Sequence, residues 1–273
     1  MEQKRRVPGK DLGIGVVACI ACILLLPAAC MQRPHGGAAS APEESTMSTN
    51  ESPAPPVEST AAPIELPGGI VVDRTTSEVV VPAVVSIDVG WLEQMVCSRH
   101  SRDHEALLVI DVAPSQVHAG LMLLGLEPGS PGRWVFETIE GSDRVVVRRI
   151  APTGDRVSVL VRRVDVDGTE LEHPIADWVM GEGGERAFPE VPWVFGGSLF
   201  LAEGPDPEGP SFYAADRSGS LVGLVTFGDE VLGLESILSD QISVDAAEWE
   251  ARTDVMPAPG TKVELVLRPF EAP

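Results

Sequence analysis

The sequence predicts an α+β fold: a mostly antiparallel β-sheet, one central helix at about 114–125 and one or two further short helices. Two observations support this prediction. Short valine-rich segments with strand-like apolar patterns recur from about residue 70 to the C-terminus. The segment 114–125 instead repeats its apolar residues at helical spacing and is bounded by typical helix start and stop residues.

Residues 1–29 have the composition of a secretory signal. A basic stretch precedes an apolar run at 12–29, which ends in small residues directly before Cys30. Small residues before a cysteine are typical of a bacterial lipoprotein, so we expect Cys30 to carry lipid and to anchor the chain to the membrane. Because this run is also just long enough to span a bilayer, an uncleaved N-terminal anchor is the alternative. Either way, we expect the rest of the chain to be exported.

The segment 30–67 is rich in Pro, Ser, Thr, Ala and Glu and contains almost no large apolar residue. It cannot bury enough surface to offset the entropy lost on ordering, so we expect a disordered tether. Apolar patterns return at 68–268, a length that suits one globular domain, and a short tail follows at 269–273.

The chain is strongly acidic, with 20 basic and 41 acidic side chains and a formal net charge of −21. Loss of residues 1–29 would remove four bases and two acids and leave a net charge near −23. Such a surface repels phosphate backbones, so we expect no nucleic-acid partner.

Strand patterns occupy most of the predicted domain. Before the central helix they lie at 70–72, 78–81, 84–88, 90–96 and 104–112, and after it at 134–139, 145–150, 157–164, 193–202, 212–215, 221–227, 246–252 and 262–267. Asp167-Gly168 predicts a hairpin turn. The segment 174–180 predicts a short helix, and 229–239 is compatible with helix or loop.

The central helix begins at Pro114, which suits a first helical turn, and Gly125 can close it. Val117, Leu121 and Leu124 share one helical face, which we expect to pack against the sheet. A histidine, His118, lies beside that face about one turn into the helix.

The strand predicted at 104–112 leads directly into the central helix. Cys97 precedes this strand, His104 begins it and His118 lies in the helix, so these three residues are the candidate ligands of a metal site. Thiolate and imidazole suit a divalent transition metal such as zinc, or copper. His100 lies in a polar loop, and strand alternation points Glu105 away from His104, so neither residue clearly completes the set.

Cysteine usage excludes two other kinds of site. Cys19 and Cys22 lie in the leader and Cys30 is the expected lipid carrier, so Cys97 is alone in the exported domain. One thiol supports neither a disulfide framework nor an Fe–S cluster.

The same residues could instead form a cysteine-dependent catalytic site. Cys97 would be the nucleophile, His118 or His104 its base, and Glu105 or Asp111 the carboxylate that orients the imidazole. The structural alternative is that the histidines bind backbone or carboxylate groups and that Cys97 is a small buried apolar group. No glycine motif typical of an oxyanion hole flanks Cys97, so we assign no catalytic residue and favour a domain without enzymatic activity.

Motifs along the domain resemble those of the YdjY-like domain family of bacterial envelope proteins. They are Cys97, His104-Glu105 before an apolar strand, Pro114-Ser115 with His118, the turn at 125–129, Pro152-Thr153-Gly154-Asp155, Trp178-Val179, Trp193-Val194-Phe195, the segment 223–227, and Pro259-Gly260-Thr261. The resemblance covers roughly the last three quarters of the chain. It implies an envelope protein, and it implies no particular activity.

The sequence therefore predicts an exported, membrane-anchored envelope domain that binds an unknown ligand or protein. Cys97, His104 and His118 are its candidate metal ligands. The alternative is a cysteine-dependent envelope enzyme that acts on peptide or acyl bonds.

Overall fold

The computed structural model describes residues 62–139, 141, 145–184, 186–189, 191–236 and 249–271. The predicted leader, Cys30 and most of the predicted tether lie outside these residues. The first strand begins at Ile64, within the last residues assigned to the tether.

Strands dominate the described part of the chain. They are β1 (Ile64–Leu66), β2 (Ile70–Asp73), β3 (Glu78–Val85), β4 (Gln94–Ser98), β5 (Ala106–Ile110), β6 (Pro128–Ser130), β7 (Arg133–Thr138), β8 (Val145–Ile150), β9 (Thr153–Gly154), β10 (Arg156–Val164), β11 (Glu170–Pro174), β12 (Val179–Gly181), β13 (Trp193–Phe195), β14 (Phe200–Ala202), β15 (Ser211–Tyr213), β16 (Ser220–Gly223), β17 (Leu232–Gly233), β18 (Trp249–Ala251) and β19 (Lys262–Pro269). The α-helices are α1 (Pro114–Leu123) and α2 (Ala214–Ser218). Short 3₁₀ segments lie at Pro67–Gly69, Asp103–Glu105, Ile175–Trp178 and Glu182–Gly184.

Eight of the strands form a closed barrel. Its order is β3, β19, β10, β13, β17, β16, β4 and β5, and β5 pairs with β3 to close the ring. Within the barrel the longest ladders, β3–β19 and β10–β19, are antiparallel, whereas β4–β5 and β16–β17 are parallel.

This architecture shows that the predicted α+β class with a central helix is wrong. Strands make up 46% of the structure and helices only 14%, so the domain is mostly β. Closure depends on β3, which pairs with β19 along one edge, while its other edge pairs first with β2 and then with β5. Apolar alternation shows which residues face inward, but it does not show which strands become neighbours.

Alternate residues of the long strands fill the core. In β10, Val157, Val159 and Val161 are buried, while the residues between them are partly exposed. Val159 lies opposite Leu267 of β19, and Val161 lies opposite Leu265. The strand predicted at 157–164 is therefore confirmed, with its apolar face inward.

The predicted helix is present as α1 and packs against β2 and β3. Val117 and Leu121 are fully buried. Gly120 allows a close approach, because a Cβ at this position would lie 3.1 Å from a methyl group of Val79. The adjacent face of α1, which carries His118, is only half-buried.

Other elements differ locally from the prediction. The strand predicted at 104–112 begins at Ala106, because Asp103–Glu105 form a 3₁₀ turn. The helix predicted at 174–180 is reduced to a 3₁₀ turn followed by β12. The strand predicted at 212–215 gives way to α2 at Ala214.

Candidate functional site

The first turn of α1 is held by side chains from two directions. Ala113 offers no capping oxygen, and Gln116 accepts a hydrogen bond from the Ala113 N–H at 3.0 Å. Asp216 of α2 accepts hydrogen bonds from the N–H of Ser115 at 2.8 Å and from its hydroxyl at 2.7 Å. A carboxylate near a helix N-terminus stabilises the helix, because its negative charge interacts favourably with the positive end of the helix dipole. Since Asp216 belongs to α2, its two hydrogen bonds also fix α1 against α2.

One turn further along α1, His118 joins a short hydrogen-bond chain. Its Nδ1 lies 2.7 Å from the Tyr213 hydroxyl, and that hydroxyl donates to the Gly197 carbonyl at 2.9 Å. Because the hydroxyl proton is used on Gly197, Nδ1 of His118 must carry the proton of the first bond. The neutral imidazole then leaves Nε2 as its unprotonated nitrogen.

Burial sets the charge states of this pair. Desolvation lowers the pKa of His118 below its usual value, and a hydrogen bond to the Gly197 backbone opposes this shift only in part. Desolvation also raises the pKa of Tyr213, and the nearby negative charge of Asp216 adds to it. Both rings are therefore neutral at physiological pH.

Gly197 is required beside His118 for two reasons. Its φ of +79° lies in the left-handed region that favours glycine. A Cβ at this position would lie 2.7 Å from Cβ of Pro128 and 3.2 Å from Cε1 of His118. The imidazole is thus packed directly against backbone, and Phe195 contacts it edge-on with ring centroids 4.9 Å apart.

Cys97 is buried against apolar side chains, and polar groups of the turn that follows β4 contact its thiol. It is fully buried in a small cluster with Ala106 and Val109, and partly buried Val84 packs against this cluster. Desolvation raises the pKa of its thiol, although hydrogen bonds from the Ser101 side chain and the Arg102 backbone oppose the shift. The side chain is therefore a protonated thiol at neutral pH.

The remaining candidates lie at the surface. The side chain of His104 is 71% exposed, with Nε2 3.7 Å from Glu105 and Nδ1 3.9 Å from Asp103. The 3₁₀ turn brings His104 and Glu105 together, so the prediction that they point to opposite faces is wrong. Asp111 is paired with the Arg99 guanidinium at 2.5 Å, which lowers the pKa of that carboxyl.

The structure therefore brings together His104 with Glu105 and, separately, His118 with Tyr213. Cys97 packs against apolar side chains instead. Among the residues that the structure describes, no group of three or more His, Cys, Asp or Glu side chains is placed to hold a metal ion. Metal binding by Cys97, His104 and His118 stays a prediction from the sequence.

Sequence reasoning did not connect Tyr213 or Gly197 with His118, and it did not identify Glu230. Glu230 is 2% exposed and accepts hydrogen bonds from the N–H groups of Gly228 and Asp229. Desolvation raises its pKa to about 7. The sequence signal for this buried carboxyl is an adjacent pair of acidic residues, Asp229 and Glu230, inside the apolar-rich segment 224–234.

No helix within the described residues has the length and apolar character needed to cross a membrane.

Comparisons with known proteins agree with the resemblance seen in the motifs. The comparison with curated proteins found no match, and the comparison with solved structures found none either. The YdjY domain model matches residues 70–268, well over half of the chain. A match of this extent shows that the chain belongs to the YdjY domain family.

Proposed function

We propose that this chain is an exported, membrane-tethered domain of the bacterial envelope that binds an envelope ligand or protein partner without catalysing a reaction. The leader and Cys30 support export and anchoring. The observation that carries the binding proposal is an exposed apolar hairpin outside the barrel, formed by β7 and β8.

This hairpin is paired only with itself among the described residues. Strand alternation and register place Trp134, Phe136, Val145 and Val147 on one face. Phe136 is 69% exposed, Val145 55% and Val147 46%. A two-stranded hairpin alone is only marginally stable in water, so covering this face with a partner would stabilise it.

The charge of the hairpin indicates the chemistry of the partner. The segment 133–150 contains four arginines and three acidic residues, for a net charge of +1, whereas the rest of the chain carries −22. Arg149 lies opposite Trp134 on this same face, with its guanidinium over the Trp134 ring at 4.8 Å. An apolar protein surface with an acidic rim would complement this face.

The environment of Cys97 argues against the alternative function, a cysteine-dependent enzyme. A nucleophilic cysteine needs an accessible thiolate and a neighbouring base, whereas this thiol is fully buried and burial raises its pKa. No histidine hydrogen bond to Cys97 is among the interactions of the described residues.

The binding surface can be tested by crosslinking in intact envelopes. The double variant Phe136→Ser/Val147→Ser should abolish a crosslinked adduct of defined mass that the unchanged chain forms. The matched control is Val164→Ser/Val166→Ser, since these valines are 66% and 101% exposed at the β10–β11 hairpin. An adduct that survives in the first variant, or is lost equally in both, would show that β7 and β8 do not form the surface.

Anchoring is tested separately with Cys30→Ser. If Cys30 carries lipid, this variant should leave the membrane fraction or accumulate as a slower-migrating unprocessed form. Identical size and detergent partitioning of both forms would favour the uncleaved anchor.

A further inference from the structure

One row of side chains on α1 faces β15 and α2. Ser115 contacts Asp216 at the start of this row, and His118 contacts Tyr213 one turn later. Met122 is the next residue on the same side, four residues after His118. Val117 and Leu121 face the barrel instead, so His118 and Met122 border the buried face of α1.

The free nitrogen of His118 is directed away from its protein partners. Nδ1 is committed to Tyr213, and Gly197 packs against the Cε1 and Nδ1 side of the ring. Nε2 makes no hydrogen bond to a described residue, and it is not among the buried polar atoms that lack a partner. The side chain of His118 is only half-buried, and in the imidazole protonated at Nδ1 the lone pair that can bind a ligand is on Nε2.

Met122 supplies a second donor atom on an exposed side chain. It is 52% exposed, which is high for a methionine on a packed helix. Helical side chains lean toward the N-terminus, so Met122 leans toward the turn that carries His118. Residues four apart on a helix have Cβ atoms roughly 6 Å apart, and the flexible thioether can adjust to bring Sδ within about 4 Å of Nε2.

We propose that His118 Nε2 and Met122 Sδ together bind one Cu(I) ion. Thioether sulfur is a soft, uncharged ligand that favours Cu(I), and imidazole also binds copper. At zinc sites the bonds to imidazole nitrogen and to cysteine sulfur are roughly 2.0 Å and 2.3 Å long, and bonds of similar length would let one Cu(I) ion join a nitrogen and a sulfur about 4 Å apart. The strongly negative chain also attracts a monovalent cation to its surface.

The hydrogen bond to Tyr213 acts as the support for this site. It fixes the imidazole tautomer and orientation, as the outer partner of a metal-bound histidine does. The site differs from the predicted set of Cys97, His104 and His118, since it uses neither Cys97 nor His104. It is also independent of the partner surface on β7 and β8.

Tyr213 provides a specific reporter, because it is the single tyrosine of the chain. The full chain, labelled with ¹³C-tyrosine and kept reduced in detergent, would be titrated with Cu(I), which is diamagnetic. We expect the Tyr213 ring signals to shift to a saturating endpoint. Copper that binds far from this ring should leave these signals unshifted.

Three variants and one other metal complete the test. Met122→Leu keeps the size of an exposed side chain and should raise the Cu(I) concentration at half-saturation at least tenfold, while Met180→Leu should leave it unchanged. Zn²⁺ alone should cause no shift at the same concentration, and His118→Gln should remove the saturable Cu(I) response. The absence of a shift in the unchanged chain, equal affinity in Met122→Leu, or an equal response to Zn²⁺ would overturn the proposal.

Discussion

The Nδ1 atom of His118 lies 2.7 Å from the hydroxyl oxygen of Tyr213, although the two residues are 95 positions apart in the chain. This bond joins α1 to the end of β15, and Asp216 joins the same two regions through Ser115. The orientation of the His118 ring therefore depends on contacts that form only when the β15–α2 segment is folded against α1.

Replacement Tyr213→Phe should destabilise the domain by about 1–2 kcal/mol, because it leaves Nδ1 of His118 and the Gly197 carbonyl without their partner. Urea denaturation followed by tryptophan fluorescence measures this loss. In a His118→Ala background the same replacement should cost less, by about 0.5 kcal/mol or more. Equal costs in both backgrounds would show that the two rings are not energetically coupled.

The buried thiol of Cys97 should react slowly in the folded chain. We expect alkylation by iodoacetamide at pH 8 to be at least roughly 100-fold slower than in urea, because the thiol is fully buried and its pKa is raised. Mass spectrometry of the peptide that contains Cys97 separates it from the other three cysteines. Rapid native alkylation would instead support the cysteine-dependent enzyme.

Local patterns predicted the elements of the fold better than their assembly. Pro114 marks the observed start of α1, and Gly125, with a φ of +99°, follows its end. The alternation at Val157, Val159 and Val161 likewise predicted a strand with one buried face. Each of these signals depends only on residues close together in the chain, so the elements can be predicted from the sequence alone.

The closure of the barrel has no such local signal. It requires β5 to pair with β3 through the register that joins Val84 to Val109, and nothing in either strand specifies that partner. The candidate site also combines a residue that local patterns reveal with one that they do not. His118 is visible as a histidine beside a helical apolar face, whereas Tyr213 reaches it only through the tertiary fold.

Glu230 should make stability depend on pH. Burial raises its folded pKa to about 7 from an ordinary value of 4.5, so the folded state holds this proton more tightly than the unfolded state does. Its contribution is therefore fully present below pH 4.5, falls as the pH rises from 4.5 to 7, and is lost above that range. The full change corresponds to roughly 3 kcal/mol.

The variant Glu230→Gln isolates this effect from the other acidic residues. It cannot release a proton, so the fall in stability between pH 5 and pH 8 should be smaller than in the unchanged chain, and the variant should be the more stable form at pH 8. Urea midpoints at the two pH values measure both. If the urea midpoint falls by the same amount between pH 5 and pH 8 in the variant and in the unchanged chain, Glu230 is not the titrating group.

Glu78 lies where two arginines from neighbouring strands meet, and its side chain is only 10% exposed. Arg162 contacts it at 2.9 Å and Arg268 at 2.7 Å, and both arginines also pair with Glu172. The four side chains therefore connect β3, β19, β10 and β11 across one part of the sheet. Removing the central carboxylate would leave two partly buried guanidinium groups with one acidic partner fewer.

We therefore expect Glu78→Gln to lower the free energy of unfolding by roughly 3 kcal/mol, because two partly desolvated guanidinium groups lose the more deeply buried of their two shared carboxylate partners. The matched control is Glu203→Gln, which breaks a pair with Arg217 whose side chains are 58% and 60% exposed. Water already screens that pair, so its loss should cost no more than about 1 kcal/mol. Urea denaturation at neutral pH compares the two variants. Similar small losses in both would mean that the pairs at Glu78 contribute no more than an ordinary surface ion pair.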